Sequence, residues 1–316
     1  MVKILANDGI DPIGKKLLEE AGFQVDTQTI PQDQLAEALL NYDAITVRSA
    51  TKVRAALIDA CPNIKLIGRG GVGMDNIDVE YARSKGVNVV NTPAASSLSV
   101  AELVFSHLFT GIRFVHDSNR KMPLEGDTKF NDLKKAYAKG IELRGKTIGI
   151  IGFGRIGRET ATIALGLGMK VLAYDLFPFD GNITLNLQGD VKVDIPVKTV
   201  SLDEVIANSD FISLHTPFAD QPILGAVEFE AMKKGVAIVN CSRGGTIDEL
   251  ALINALDSGK VSFAGLDVFE NEPTPLKAIL NHPKISLTPH IGASTNEAQE
   301  RIGTELANLI IDHFKK

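Results

Sequence analysis

Gly152, Gly154 and Gly157 stand in the spacing G-x-G-x-x-G, after the apolar run Thr147-Ile148-Gly149-Ile150-Ile151 and before a helical pattern from Arg158 to Leu167. A strand that turns through such glycines into a helix is built to hold a dinucleotide. The first glycine permits the tight turn, the second lets the backbone approach a pyrophosphate, and the third lets helix and strand pack closely. The helix N-terminus adds unpaired N–H groups and a positive dipole end. Asp175 ends the next apolar run, Lys170–Tyr174, 18 residues beyond Gly157. A carboxylate there can bind ribose hydroxyls and repel a 2′-phosphate, and Leu176-Phe177-Pro178 offers no arginine to welcome one, so NAD is expected over NADP.

Hydride transfer from an alcohol to such a cofactor needs a base for the hydroxyl proton and a cation for a substrate anion. Three residues have that chemistry, and each lies just beyond an apolar run. Arg243 follows Val236–Ser242, Glu272 follows Gly265-Leu266-Asp267-Val268-Phe269, and His290 follows Thr288-Pro289. In doubly wound sheets ligands bind at the carboxyl ends of strands. Singly, each also reads as ordinary: a solvated histidine, a turn glutamate before Pro273, an arginine capping a loop. A second group, Arg48, Ser49 and Lys52 with Arg69 before Gly70-Gly71-Val72-Gly73, lies at the ends of two further runs. Arginines and backbone amides there suit a carboxylate plus a phosphate. A solvated basic edge explains Lys52 and Arg54 adequately, but Arg48 and Arg69 less well.

These positions depend on a repeating strand–helix pattern. Strands are expected at Val2–Ala6, Phe23–Val25, Ala44–Val47, Ile64–Ile67 and Val87–Val90. A second series follows at Thr147–Ile151, Lys170–Tyr174, Asp210–Leu214, Val236–Asn240, Ser262–Leu266 and Lys284–Thr288. Helical patterns between them point to βαβ units and parallel sheets. Ser99-Val100-Ala101-Glu102 reads as a capping box opening a long helix. Its apolar residues cover more than one face, as expected of a helix buried between domains or against a second subunit. The polar stretch from Asp117 to Lys139 reads as an extended connection, and a last helix begins near Asn296. Gly140–Thr147 matches the P-loop pattern G-x-x-x-x-G-K-[ST], but it precedes a strand instead of opening a helix, so it is read as coincidence.

The chain has 316 residues, 44% of them hydrophobic and 23% charged, which suits about two globular domains. A net charge of −6 argues against general nucleic-acid binding. No apolar run approaches the ~20 residues of a membrane span, and the N-terminus lacks a signal-peptide pattern. Two cysteines exclude a disulfide framework and favour a reducing, cytoplasmic setting.

Several motifs carry a resemblance. Gly149–Gly157 with Asp175, Asn240–Gly245 through Asp248-Glu249, Leu266–Phe269 with Glu272-Pro273, and Pro289-His290 resemble the D-isomer-specific 2-hydroxyacid dehydrogenases. Val47–Val53, Gly68–Asp78 and His290–Thr295 are similar to the branch of that family acting on 3-phosphoglycerate. The resemblance covers essentially the whole chain. It implies an α/β fold of two doubly wound parallel-sheet domains, with a Rossmann-type NAD domain at 96–286 inserted in a flavodoxin-like substrate domain at 1–95 and 287–316. It implies His290 as general acid/base, Glu272 orienting it and favouring its charged form, and Arg243 binding the substrate carboxylate. Contacts to NAD are implied for Gly152, Gly154, Arg155, Ile156, Gly157, Asp175, Thr216, Cys241, Asp267 and the backbone around His290, including Gly292. Asp267 would lie near the nicotinamide carboxamide, and Cys241 would line the site without acting as a nucleophile. Arg48, Ser49, Arg69, Gly70 and Gly71 would bind substrate, joined by Lys135 from the connecting loop of a partner subunit. A homodimer through the helix near 99–116 is implied, with a phosphorylated 2-hydroxy acid as substrate and no metal, nucleic acid or membrane. Alternatives are a hydroxypyruvate/glyoxylate reductase or D-lactate dehydrogenase of the same family, or an NAD-sensing corepressor without turnover. The sequence stops at Lys316, so no serine-sensing regulatory domain and no serine feedback through one are expected.

Overall fold

The computed structural model describes residues 1–218 and 220–315. The chain forms two compact units, Met1–Ser99 with the chain from Ala293 onward, and Val100–Gly292. The boundaries expected from sequence, after 95 and after 286, fall slightly earlier, because the chain leaves the first unit inside the helix Ser97–Ile112 and returns after Gly292.

In the first unit, strands β1 (Lys3–Ala6), β2 (Gln24–Asp26), β3 (Ala44–Val47), β4 (Leu66–Arg69) and β5 (Asn88–Asn91) form a parallel sheet in the order β2-β1-β3-β4-β5. That is the flavodoxin-like order. All four residues of β3 are buried, as befits a strand covered on both faces. Helix Pro12–Glu20 starts at Asp11, whose carboxylate accepts the Ile13 N–H at 2.9 Å, with Pro12 at the first helical position. The last helix, Asn296–Phe314, is capped by Thr295 and packs on it, burying Ile302, Leu306 and Ile310. Gly14 and Gly303 make the crossing possible: a Cβ on Gly14 would lie 2.5 Å from the Gly303 carbonyl oxygen.

In the second unit, β6 (Thr147–Ile151), β7 (Lys170–Tyr174), β10 (Phe211–Leu214), β11 (Val236–Asn240), β12 (Val261–Leu266) and β13 (Ile285–Leu287) form a parallel sheet ordered β13-β12-β11-β10-β6-β7. The order reverses at β6, so a switch point lies between β6 and β10. Between β7 and β10 the chain makes an antiparallel hairpin, β8 (Asp180–Asn186) with β9 (Lys192–Lys198), which the sequence reading did not anticipate. Its signal was there: Ile183, Leu185, Val193, Ile195 and Val197 alternate with polar residues around a turn at Gly189-Asp190.

Two other expectations need correction. The stretch 117–139 is not extended: it forms helices Val115–Glu125 and Phe130–Ala136. The first buries no residue, so it shows no apolar stripe, and its sequence mark is charge spacing instead. Lys121 pairs with Asp117 and Lys129 with Glu125, each at i,i+4. Ser99 does not cap a helix; the helix begins at Ser97, and the Ser99 hydroxyl bonds the Thr295 hydroxyl at 2.8 Å.

Candidate active site

The glycine turn follows β6 directly. Gly152 has φ +92°, and a Cβ there would lie 2.6 Å from the His215 carbonyl oxygen. A Cβ on Gly157 would lie 2.2 Å from the Gly152 carbonyl oxygen, which brings helix Arg155–Gly166 against the strand. A Cβ on Gly154 would meet nothing within 4 Å. The middle glycine therefore answers to a group outside the chain, at the helix N-terminus where a pyrophosphate fits. Arg155 and Ile156 open that helix. Asp175, at the end of β7, accepts the Phe153 N–H at 2.5 Å and the Phe177 N–H at 2.9 Å, tying the acid to the glycine turn. Just past β10, the Thr216 hydroxyl oxygen is buried without a hydrogen-bond partner. A cradle open to phosphates, a carboxylate at the ribose position and an orphaned hydroxyl beside them fit a dinucleotide.

The acid/base pair lies at the ends of β12 and β13. His290 Nδ1 is 2.8 Å from Glu272 Oε2, and the Phe269 N–H binds the other Glu272 oxygen at 3.0 Å. His290 itself has φ +53°. Burial pushes the Glu272 carboxyl up, but the hydrogen bond and charge of His290, the Phe269 N–H and the Arg243 charge together hold it below the ordinary value. Glu272 is thus a carboxylate that accepts the Nδ1 proton, and Nε2 has no hydrogen bond among the described residues. An apolar cavity of about 360 Å³, walled by Pro275, Leu280, Leu287 and Pro289, lies against the pair.

Arg243 is brought there by the loop after β11. The Asn240 side chain spans that loop, donating to the Arg243 carbonyl and to Thr246 at 3.0 Å each while accepting from Ser242. Gly244 lets it touch the loop after β12, since a Cβ would sit 1.8 Å from the Phe269 carbonyl oxygen. Cys241 is buried beside Asp267, and burial and then that carboxylate push its thiol well up, which leaves no thiolate for nucleophilic chemistry. Asp267 is loaded with donors: Thr288 at 2.6 Å, Ile291 N–H at 2.8 Å and Gly292 N–H at 2.8 Å.

In the first unit, β3 and β4 pair Val47 with Arg69, so Arg48 and Gly70 follow on neighbouring strand ends. Gly71 has φ +137°, and a Cβ there would collide with the Arg69 guanidinium. Arg48 and Gly70 line a concavity of about 600 Å³ with Asp8, Asp11, Gln299 and Glu300. Ser49 is exposed in the loop above. Two residues unnoticed in the sequence shape this loop. Asp8 accepts from the Arg48 and Thr51 N–H groups and the Thr51 hydroxyl, and Asn76 donates to the Arg48 and Thr51 carbonyls. Asp8 stands in the polar pair Asn7-Asp8 at a strand's carboxyl end, which does not by itself reveal the loop it holds. Lys135 is exposed on the helix Phe130–Ala136.

Residues 105–292 match the family model of the D-isomer-specific 2-hydroxyacid dehydrogenase NAD-binding domain. The chain is 42% identical over 314 residues to a hydroxypyruvate reductase of Thermotoga maritima, covering 98% of this chain and 97% of that one. It is 40% identical to the D-3-phosphoglycerate dehydrogenase of Homo sapiens, covering 99% of this chain and 56% of that protein, so it spans about half that relative's length. Among solved structures, an Aquifex aeolicus D-lactate dehydrogenase complexed with NAD and lactic acid superposes with a TM-score of 0.75 at 28% identity, over 99% of this chain and 95% of that one. The chain belongs to the D-isomer-specific 2-hydroxyacid dehydrogenases. Its cofactor is NAD.

Proposed function

We propose that the chain oxidises 3-phospho-D-glycerate at C2 to 3-phosphooxypyruvate. NAD, when bound, accepts the hydride that leaves C2. His290 Nε2 takes the hydroxyl proton as the carbonyl forms. Glu272 holds the ring by its Nδ1 proton and stabilises the imidazolium that results. Arg243 binds the substrate carboxylate with two parallel N–H donors and polarises the oxygen at C2. The observation that carries the reaction is the Glu272–His290 pair with Arg243 held close enough to lower the Glu272 carboxyl. The phosphate reading is supported by Arg48 and Arg69, with the buried Gly70-Gly71 backbone, on adjacent strand ends.

The test compares NADH consumption with 3-phosphooxypyruvate and with hydroxypyruvate. A kcat/KM ratio of ~100 or more for the phosphorylated acid, about 2.7 kcal/mol, supports the proposal. The identity to a hydroxypyruvate reductase over nearly its full length favours a second reading, reduction of hydroxypyruvate without a phosphate contact. Equal or faster turnover of hydroxypyruvate would decide for it. In either reading His290→Asn lowers kcat by ~10²–10⁴-fold while NADH still binds.

The proposal includes a homodimer through the helix near 99–116 and its continuation. Phe109, Val115, Met122, Leu124 and Phe130 are all exposed along that stretch, and Leu124 is 78% exposed. The free, buried thiols of Cys61 and Cys241 fit a reducing cytoplasm.

A further inference from the structure

His107 lies in the buried part of helix Ser97–Ile112, 2% exposed. A histidine costs more than leucine at such a place unless both ring nitrogens are used. Both are. Nδ1 is 3.0 Å from the Ser286 hydroxyl, and Nε2 is 3.1 Å from the Thr288 hydroxyl. The directions follow from the last partner. Thr288 Oγ1 lies 2.6 Å from Asp267 Oδ1, and an ionised carboxylate only accepts, so the threonine donates to it. Thr288 Oγ1 therefore accepts from His107 Nε2–H, and Nδ1 accepts from Ser286. A single neutral tautomer satisfies the chain, in keeping with burial, which lowers His107 to about 4. The space is closed to water from the strand side, since a Cβ on Gly265 of β12 would come within 2.5 Å of the His107 Cβ.

The other end of the chain is His290. Asp267 accepts the N–H groups of Ile291 and Gly292, the two residues after a histidine held at φ +53°. A β-carbon makes that conformation unfavourable, so something must hold it. We propose that His107 is a positioning residue for the reaction: through Thr288 and Asp267 it fixes the backbone of 290–292 in the turn that sets the His290 imidazole against Glu272. This rests on His290 being the acid/base, as proposed above. The groups facing Asp267 are the Thr288 hydroxyl, the two backbone N–H groups and the His290 charge, together with the Cys241 thiol at the end of β11. Burial raises the Asp267 carboxyl, and the Thr288 bond is the largest influence pulling it back. Without the N–H of His107, the Thr288 hydroxyl is free to turn away. Asp267 then takes up a proton at higher pH, and a protonated Asp267 binds the 291–292 backbone less well.

The experiment uses the full chain with NADH and hydroxypyruvate, in wild type, His107→Leu, His107→Gln and Thr288→Val, with kcat and KM followed from about pH 5 to about pH 9. In H107L and T288V, kcat falls ~10-fold or more with the KM for NADH within ~3-fold, and the acid-side loss of kcat begins at higher pH than in wild type. H107Q restores both, because its amide can donate to Thr288 and accept from Ser286. A lowered Tm with an unchanged kcat profile in H107L would overturn the proposal and leave His107 a packing residue. If H107L does not fold, T288V carries the same comparison. Should His290→Asn retain full turnover, the acid/base reading fails instead, and His107 has nothing to position.

Discussion

Arg243 is the residue whose type matters as much as its place. Its loop is shaped by Asn240, and its charge reaches Glu272. A planar fork binds a carboxylate through two parallel hydrogen bonds, whereas lysine offers a point charge. Arg243→Lys is therefore expected to lower kcat/KM for the hydroxy acid by ~10–100-fold, one charge-assisted bond's worth, while NADH affinity stays as it was. Steady-state kinetics beside NADH fluorescence titration checks both halves. Arg243, Glu272 and His290 stand out in the sequence because each follows an apolar run, and the roles proposed for them come from the family resemblance. Asp8 and Asn76 do not stand out, because their work is to hold a loop through contacts 40 and 28 residues away in the chain.

At the scale of elements, the glycine turn divides into separable demands. Gly157 is required by the chain's own packing, with a Cβ 2.2 Å from a carbonyl oxygen, whereas no described residue requires a glycine at 154. Gly157→Ala should lower both Tm and NAD affinity. Gly154→Ala should leave Tm within about 1 °C while weakening NAD by ~10-fold or more, since its methyl group enters only the space the pyrophosphate needs. Differential scanning fluorimetry with and without NAD separates the cases, and equal loss of Tm in both variants would refute the division. The strands Thr147–Ile151, Lys170–Tyr174 and Val236–Asn240 have the bounds their apolar runs predict. β6 and β11 are covered on both faces and read as unbroken apolar runs, whereas β7 is the edge strand and is only partly covered. Helix Val115–Glu125 buries nothing and so carries no apolar stripe in the sequence, and the hairpin β8–β9 stands where the βαβ pattern calls for a helix.

For the molecule as a whole, buried histidines set the acid limit. Burial lowers His107 from 6.5 to about 4 and His215 from 6.5 to about 3. Between those values and 6.5 the unfolded chain binds protons that the folded chain refuses, so stability is complete above pH 6.5 and falls as pH drops. His107 alone accounts for about 3 kcal/mol once its window is crossed. Glu272, held low, adds to the acid loss, whereas Asp267 and Glu249, raised chiefly by burial, act in the opposite sense. Tm measured against pH should fall below 6.5, with a shallower slope in H107Q. An equal slope would show that His107 titrates normally in the folded protein. The exposed apolar side chains from Phe109 to Phe130 belong to the same scale. Leu124→Asp with Phe130→Asp should turn a dimer into a monomer in sedimentation velocity, and a monomeric wild type would remove the dimer altogether.

Legible along the chain were the parallel α/β class, the glycine turn with its acid, and Arg243, Glu272 and His290 as candidates for the chemistry. Those features are local: an apolar run makes the strand, and the residue at its end inherits the place where ligands bind. Tertiary structure decided the rest. Only packing shows that Gly154 faces open space while Gly157 faces a carbonyl. Only the alignment of β12 and β13 brings Glu272 onto His290 Nδ1, and the helix crossing them brings His107 to Thr288, 181 residues away. Burial and partner geometry set the charge state of each group, and neither can be read from the spacing of residues along the chain.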